Sequence, residues 1–164
     1  MTNPTFRAAG SSLQADNVSP YSLAVDLPSG HTTNDILFVT CIVGNSGATF
    51  TPPANWLSIA KVTGSNVVSE WFWKRDNGSE GTSATFTASA GPFFAHASAW
   101  TGAVTSGVPF GNQTTKGQTS SALPSNIGVT PTVDQGTTIC FASIEDDTAW
   151  TTGPPPDGWT LPTN

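Results

Sequence analysis

DILFVTCIV, residues 35–43, decides the fold class: apart from Thr40, every residue from Ile36 to Val43 is apolar. A strand points successive side chains to opposite faces, so a run apolar on both faces belongs at the centre of a sheet, covered on each side. The stretches around it read as further strands. YSLAVDL (21–27) alternates and sets Leu23, Val25 and Leu27 on one face. LSIAKVT (57–63) and NVVSEWFWK (66–74) are joined by Gly64-Ser65, which suits a tight hairpin. ATFTA (84–88) and FFAHASAW (93–100) meet around Gly91-Pro92, and SNIGVTP (125–131) and TTICFASI (137–144) follow a looser Gly/Ser/Thr stretch. Asn77-Gly78 is turn chemistry suited to positive φ. No helical period runs beyond two turns. The chain is all-β.

One feature occurs twice. TPPANW (51–56) and PPPDGW (154–159) each follow an apolar run, and laying Trp159 over Trp56 also lays Pro155 and Pro156 over Pro52 and Pro53, Ile139 over Ile36 and Phe141 over Phe38. Two consecutive prolines fix φ and remove ladder donors, so the chain must leave the sheet there. The Trp that follows is expected to fold back as a lid on one end of the core, which assigns Trp56 and Trp159 to the two ends of a sandwich. By analogy with the first corner, Leu161 is expected to begin a strand that does not continue.

Composition agrees. Of 164 residues only 10% are charged, against roughly 25% in an average soluble protein. Gly, Pro, Ser and Thr take their place, while nine Phe and six Trp argue against disorder. With a net charge of −6 and five scattered Lys and Arg, the chain lacks the basic patch that nucleic-acid binding needs. No stretch approaches the roughly 18 apolar residues of a membrane span, so no membrane insertion is expected. The N-terminus lacks the apolar core of a signal peptide. Cys41 and Cys140 both sit in apolar runs and read as buried free thiols, a disulfide between neighbouring strands being the other reading.

Candidate chemistry is sparse. His31 lies in a Gly-His-Thr-Thr loop and is expected to be solvated. His96 shares a strand face with Phe94, Ser98 and Trp100, but a general base needs a nucleophile and an orienting acid that spacing does not supply. The acidic loop Glu145, Asp146 and Asp147 would need remote partners such as Asp26 or Asp35 to hold Ca²⁺, and reads as a solvated tip. The sequons at Asn17, Asn77 and Asn112 matter only in a glycosylating route. EWFWKR (70–75) is the densest aromatic stretch. Alternation assigns Trp71 and Trp73, with Val67, to the core and turns Glu70, Phe72 and Lys74 toward solvent. The alternative is an aromatic platform of Trp71, Phe72 and Trp73 stacking on sugar rings. No catalytic residue, metal site or cofactor is expected.

The order of these stretches (TTNDILFVTCIVG, TFTPPANW, EWFWKRD, ATFTASA, HASAWTGAV and PPPDGW) resembles a recurrent β-sandwich module of phage tail-fibre and other virion proteins, found also in bacterial surface proteins. The resemblance runs from about residue 21 to 161. It departs at Asn55, where the module carries Gly before the first Trp, and in the strands expected after the second. The resemblance implies no catalytic residues.

The expectation is therefore a jelly-roll-like antiparallel β-sandwich over residues 21–164, preceded by an extension over 1–20. Its expected role is a structural subunit that assembles with copies of itself in a virion, tail or extracellular filament. The sandwich would lack its last strands, and the N-terminal segment, with Phe6, Leu13 and Val18 as apolar anchors, would be the arm filling a neighbour's gap. A carbohydrate-binding module contacting surface glycans through exposed aromatics is the alternative, and a glycan hydrolase the least supported.

Overall fold

The computed structural model describes residues 4–11, 13–15 and 19–111. These residues form β1 (Thr5–Ala9), β2 (Leu13–Ala15), β3 (Tyr21–Asp26), β4 (Ile36–Val43), β5 (Phe50–Thr51), β6 (Leu57–Thr63), β7 (Val68–Arg75), β8 (Ser83–Ala88) and β9 (Phe93–Thr101), with no helix among them. All pairings are antiparallel. The first sheet runs β1-β9-β4-β7-β6, with β2 also on β9, and the second runs β3-β8-β5. The chain changes sheet at nearly every connection, which is the winding of a jelly-roll-like sandwich; only the β6–β7 hairpin and the β1–β2 pair stay within one sheet.

β4 is the central strand that its composition requires. Leu37, Val39, Cys41 and Val43 face the second sheet and join Leu23, Val25, Phe72, Phe86 and Phe93 in the main core. Ile36 and Phe38 face the other way, into a second cluster with Trp73 that Trp100, Ile59 and Phe110 partly cover. The first sheet thus buries apolar surface on both faces, at roughly 1.5–3 kcal/mol for each fully buried large side chain.

The Pro52-Pro53 corner follows the two-residue strand β5. The Trp56 N–H closes a turn on the Pro53 carbonyl at 3.2 Å, with Asn55 at φ 68°. That position of a turn demands a left-handed residue, for which Gly is the easy choice and Asn the usual substitute. The departure at Asn55 is therefore conservative in backbone terms. Trp56 returns into the main core and meets the Phe86 ring edge-on at 5.3 Å. Trp159, Val18, Cys140, Leu161 and the acidic residues 145–147 lie outside the described residues.

Two expectations need correction. The described part of the segment before residue 20 is not an extension preceding the sandwich: β1 and β2 form an edge of the first sheet, paired with β9 from Thr5↔Thr101 to Ala15↔Phe93 with a register shift between Phe6 and Ala8. Phe6 packs edge-on against Trp100 at 5.5 Å and Leu13 packs on the main core. The faces of β7 are also exchanged. Phe72, opposite Val39, points between the sheets, and Trp71 and Trp73, opposite Thr40 and Phe38, point to the outer face.

Candidate functional site

Three ion or imidazole–carboxylate pairs, Arg7–Asp35, His31–Asp76 and Lys74–Glu80, gather where the β3–β4 connection meets the end of β7. Asp35 and Asp76 extend the β4–β7 ladder by one step: the Asp76 N–H donates to the Asp35 carbonyl at 2.9 Å. Both side chains are buried, at 2% and 1% exposure. A buried carboxylate is tolerated only when paired and hydrogen-bonded, and each finds its partners in a different part of the sequence.

For Asp35 the partner is Arg7 on β1, with Nε 2.6 Å from Oδ2 and Nη2 3.2 Å from Oδ1, a two-pronged pairing that suits the planar guanidinium. The Thr32 N–H donates to Oδ2 at 2.9 Å. The turn carrying it closes from the Asp35 N–H to the Thr32 carbonyl, with Asn34 at φ 74°, repeating the backbone solution found at Asn55. For Asp76 the partners are His31, whose Nδ1 lies 2.6 Å from Oδ2, and the Gly78 N–H, 2.6 Å from Oδ1. His31 is thus not the solvated loop residue its neighbours suggest.

Gly78 has φ 83°, and a Cβ there would stand 2.5 Å from the Thr33 hydroxyl, so the turn requires glycine twice over. Beside it, Lys74 pairs with Glu80 at 2.8 Å, both side chains mostly shielded. Together His31, Thr32, Thr33, Asp76, Gly78 and Glu80 line a cleft of about 310 Å³. Chemically it is a clasp: each carboxylate already accepts from a cationic or imidazole side chain. Among the described residues no group of three His, Cys, Asp or Glu is placed to hold a metal ion.

The other residues singled out from sequence stand elsewhere. Trp71 and Trp73 are 8% and 7% exposed and Phe72 is more deeply buried still. Trp73 meets Phe110 at 5.0 Å, a ring from the stretch that reads as featureless loop. His96 stands opposite Thr40 on the outer face of β9, half-buried, and burial lowers its pKa. Cys41 is a free, buried thiol, pushed well above its ordinary range by burial and then by the Glu70 carboxylate, so it is not a nucleophile at neutral pH. Sequence reasoning missed Arg7 and the convergence of His31 with Asp76. The one available signal was the presence of Asp35 and Asp76 immediately outside two apolar strands. No protein-family model, curated protein or solved structure matches the chain.

Proposed function

We propose that the protein is a structural subunit that assembles with copies of itself through its sheet edges, in a virion, tail or extracellular filament. The observation that carries this reading is β6. Among the described residues it is one of the two edges of the first sheet, seven residues long, so one row of its backbone N–H and C=O groups faces away from β7. Leu57 at its start is 54% exposed, and its one charged side chain, Lys61, reaches to the Ala48 carbonyl. A bulge between Ser58 and Ala60 is its one irregularity. Such an edge favours strand-to-strand contact, in which main-chain hydrogen bonds supply affinity. The sparse charge supports the same reading, because few charged side chains would have to be desolvated at a contact between copies. The resemblance to virion and surface modules supplies the setting. The glycan-platform alternative has less support, because Trp71, Phe72 and Trp73 all have their rings covered.

Light scattering over a concentration series, with negative-stain microscopy of the concentrated sample, tests the proposal. Regular oligomers or filaments are expected for the wild type. Leu57→Lys combined with Thr63→Lys, both at exposed positions, should leave the fold intact and reduce the assembled fraction. A wild type that stays monomeric at every concentration refutes self-assembly.

A further inference from the structure

We infer that Asn77 is a self-modifying site: its side-chain amide closes onto the Gly78 nitrogen, expels ammonia and leaves an aspartate or isoaspartate at this position. The reaction takes place within one copy of the chain and consumes only water. Three features of the turn assemble it.

The first is the residue that follows. Asn77 is the one asparagine of the chain that precedes a glycine. Glycine alone presents a main-chain nitrogen with no Cβ beside it to obstruct the approach to Asn77 Cγ. The fold holds this position to glycine, because φ is 83° and a Cβ would stand 2.5 Å from the Thr33 hydroxyl. Asn77 and Gly78 are both exposed, so water reaches the ring that forms.

The second is the state of the nucleophile. The Gly78 N–H donates to Asp76 Oδ1 at 2.6 Å, which is short for an amide donor. Asp76 is buried, and its second oxygen is held by His31 Nδ1 at 2.6 Å. A carboxylate fixed in this way takes the proton as the nitrogen attacks, which is the work of a general base.

The third is the state of the electrophile. Asn77 Oδ1 accepts from the Ser79 N–H at 2.9 Å and from the Ser79 Oγ–H at 2.7 Å. A bond from the side chain to the N–H two residues on folds the amide back across the intervening Gly78 peptide, toward the nitrogen it must meet. The same two donors face the oxygen on which negative charge grows in the tetrahedral intermediate, as in an oxyanion hole.

The step balances between the turn and solvent. The Gly78 nitrogen bonds to Asn77 Cγ while its proton passes to Asp76 Oδ1. The Cγ–Nδ2 bond then breaks, and the departing nitrogen takes up that proton and leaves as ammonia. Water opens the resulting succinimide at either carbonyl. Opening at Cγ gives an aspartate; opening at the main-chain carbonyl gives an isoaspartate, whose main chain is one atom longer. Either product places a new negative charge next to Asp76, in the turn that lines the cleft with His31 and Thr33.

Peptide mapping by mass spectrometry tests the inference, following Asn77 in the whole protein and in the free peptide KRDNGSEGT, residues 74–82, at neutral pH and physiological temperature. Asn77 should convert about tenfold faster in the folded protein than in the peptide. Ser79→Ala, at an exposed position, should lose part of that advantage, and Asp76→Asn most of it. Conversion in the folded protein no faster than in the peptide overturns the inference, because the turn would then shield the amide instead of activating it. Equal rates in the wild type and both variants overturn it as well. Should Asp76→Asn not fold, the wild type, Ser79→Ala and the peptide decide alone.

Discussion

Arg7 and Asp35 form the tie between the N-terminal strand and the turn that launches the central strand. Nε lies 2.6 Å from one carboxylate oxygen and Nη2 3.2 Å from the other, with Asp35 fully shielded and Arg7 about one-third exposed. Losing one partner of a buried pair costs 3–5 kcal/mol, and an exposed pair is worth under about 1. Arg7→Ala is therefore expected to cost about 2–3 kcal/mol. Arg7→Lys should recover only part of it, because the ammonium cannot span both oxygens. Urea denaturation of the three proteins measures this, and full stability in Arg7→Ala would show that the pair contributes nothing.

Gly78 should tolerate no side chain. Alanine there must adopt φ near +83° and press on the Thr33 hydroxyl, at an expected cost of about 1–3 kcal/mol. Thr33→Ala in the same chain relieves the contact and leaves the backbone strain, so the double variant should regain only a fraction. Complete recovery would assign the whole cost to the hydroxyl.

The tryptophans separate by environment. Trp56→Ala removes a ring from the main core and should cost about 3–5 kcal/mol in thermal or urea unfolding. Trp71 and Trp73 should emit at blue-shifted wavelengths with no response to added oligosaccharides. A ligand-dependent shift lost in Trp71→Ala or Trp73→Ala would restore the platform reading.

These residues also show what the sequence could reveal. β4 was readable as central because Ile36–Val43 is apolar on both faces, and the corner at Pro52-Pro53 because proline cannot continue a ladder. The orientation of β7 was not. Alternation marks the inward face only when the other face is solvated, and both faces of Val68–Arg75 are covered. Glu70 and Lys74 flank Phe72 and mimic a solvent face, yet both point to the inner side, where Ser58 donates to Glu70 and Lys74 pairs with Glu80. The N-terminal strands escaped notice because TFRAA and LQA are short and alanine-rich. The charged clasp was hidden for a different reason: Arg7 with Asp35, and His31 with Asp76, are brought together by sheet topology rather than by spacing.

His96 should tilt stability against acid. Burial holds its imidazole below the ordinary value of 6.5, so the unfolded chain takes up a proton that the folded form resists. Stability is then fully present above that value and is lost as pH falls through the lowered folded pKa. Denaturation midpoints should fall as the pH drops below about 6.5, and His96→Gln should flatten part of that fall. Parallel curves for the two proteins would remove His96 as a source of the acid sensitivity.

Gly10 tests whether the N-terminal strand is an independent layer on the sheet. An added methyl group there runs into the Asp26 carbonyl oxygen, and the obstacle is backbone, so no rotamer change relieves it. Either β3 shifts or the strand lifts. β3 is anchored by six register pairs to β8 and contributes Leu23 and Val25 to the main core, whereas Gly10 holds one backbone bond, to Ala97. The strand should therefore be the part that yields. Gly10→Ala is expected to leave β4, β7 and the main core folded, while amide protection is lost along Thr5–Ala15 and at those β9 groups that bond to it. Arg7 would leave with the strand, so Arg7→Ala added to Gly10→Ala should cost far less than it does alone, a non-additivity expected of two residues that act through one element. Hydrogen exchange followed by mass spectrometry reads the protection, and a double-mutant cycle in urea reads the coupling. Additive costs, or loss of protection in β4 and β7 together with the N-terminal segment, would show that β1 and β2 unfold only with the whole sandwich.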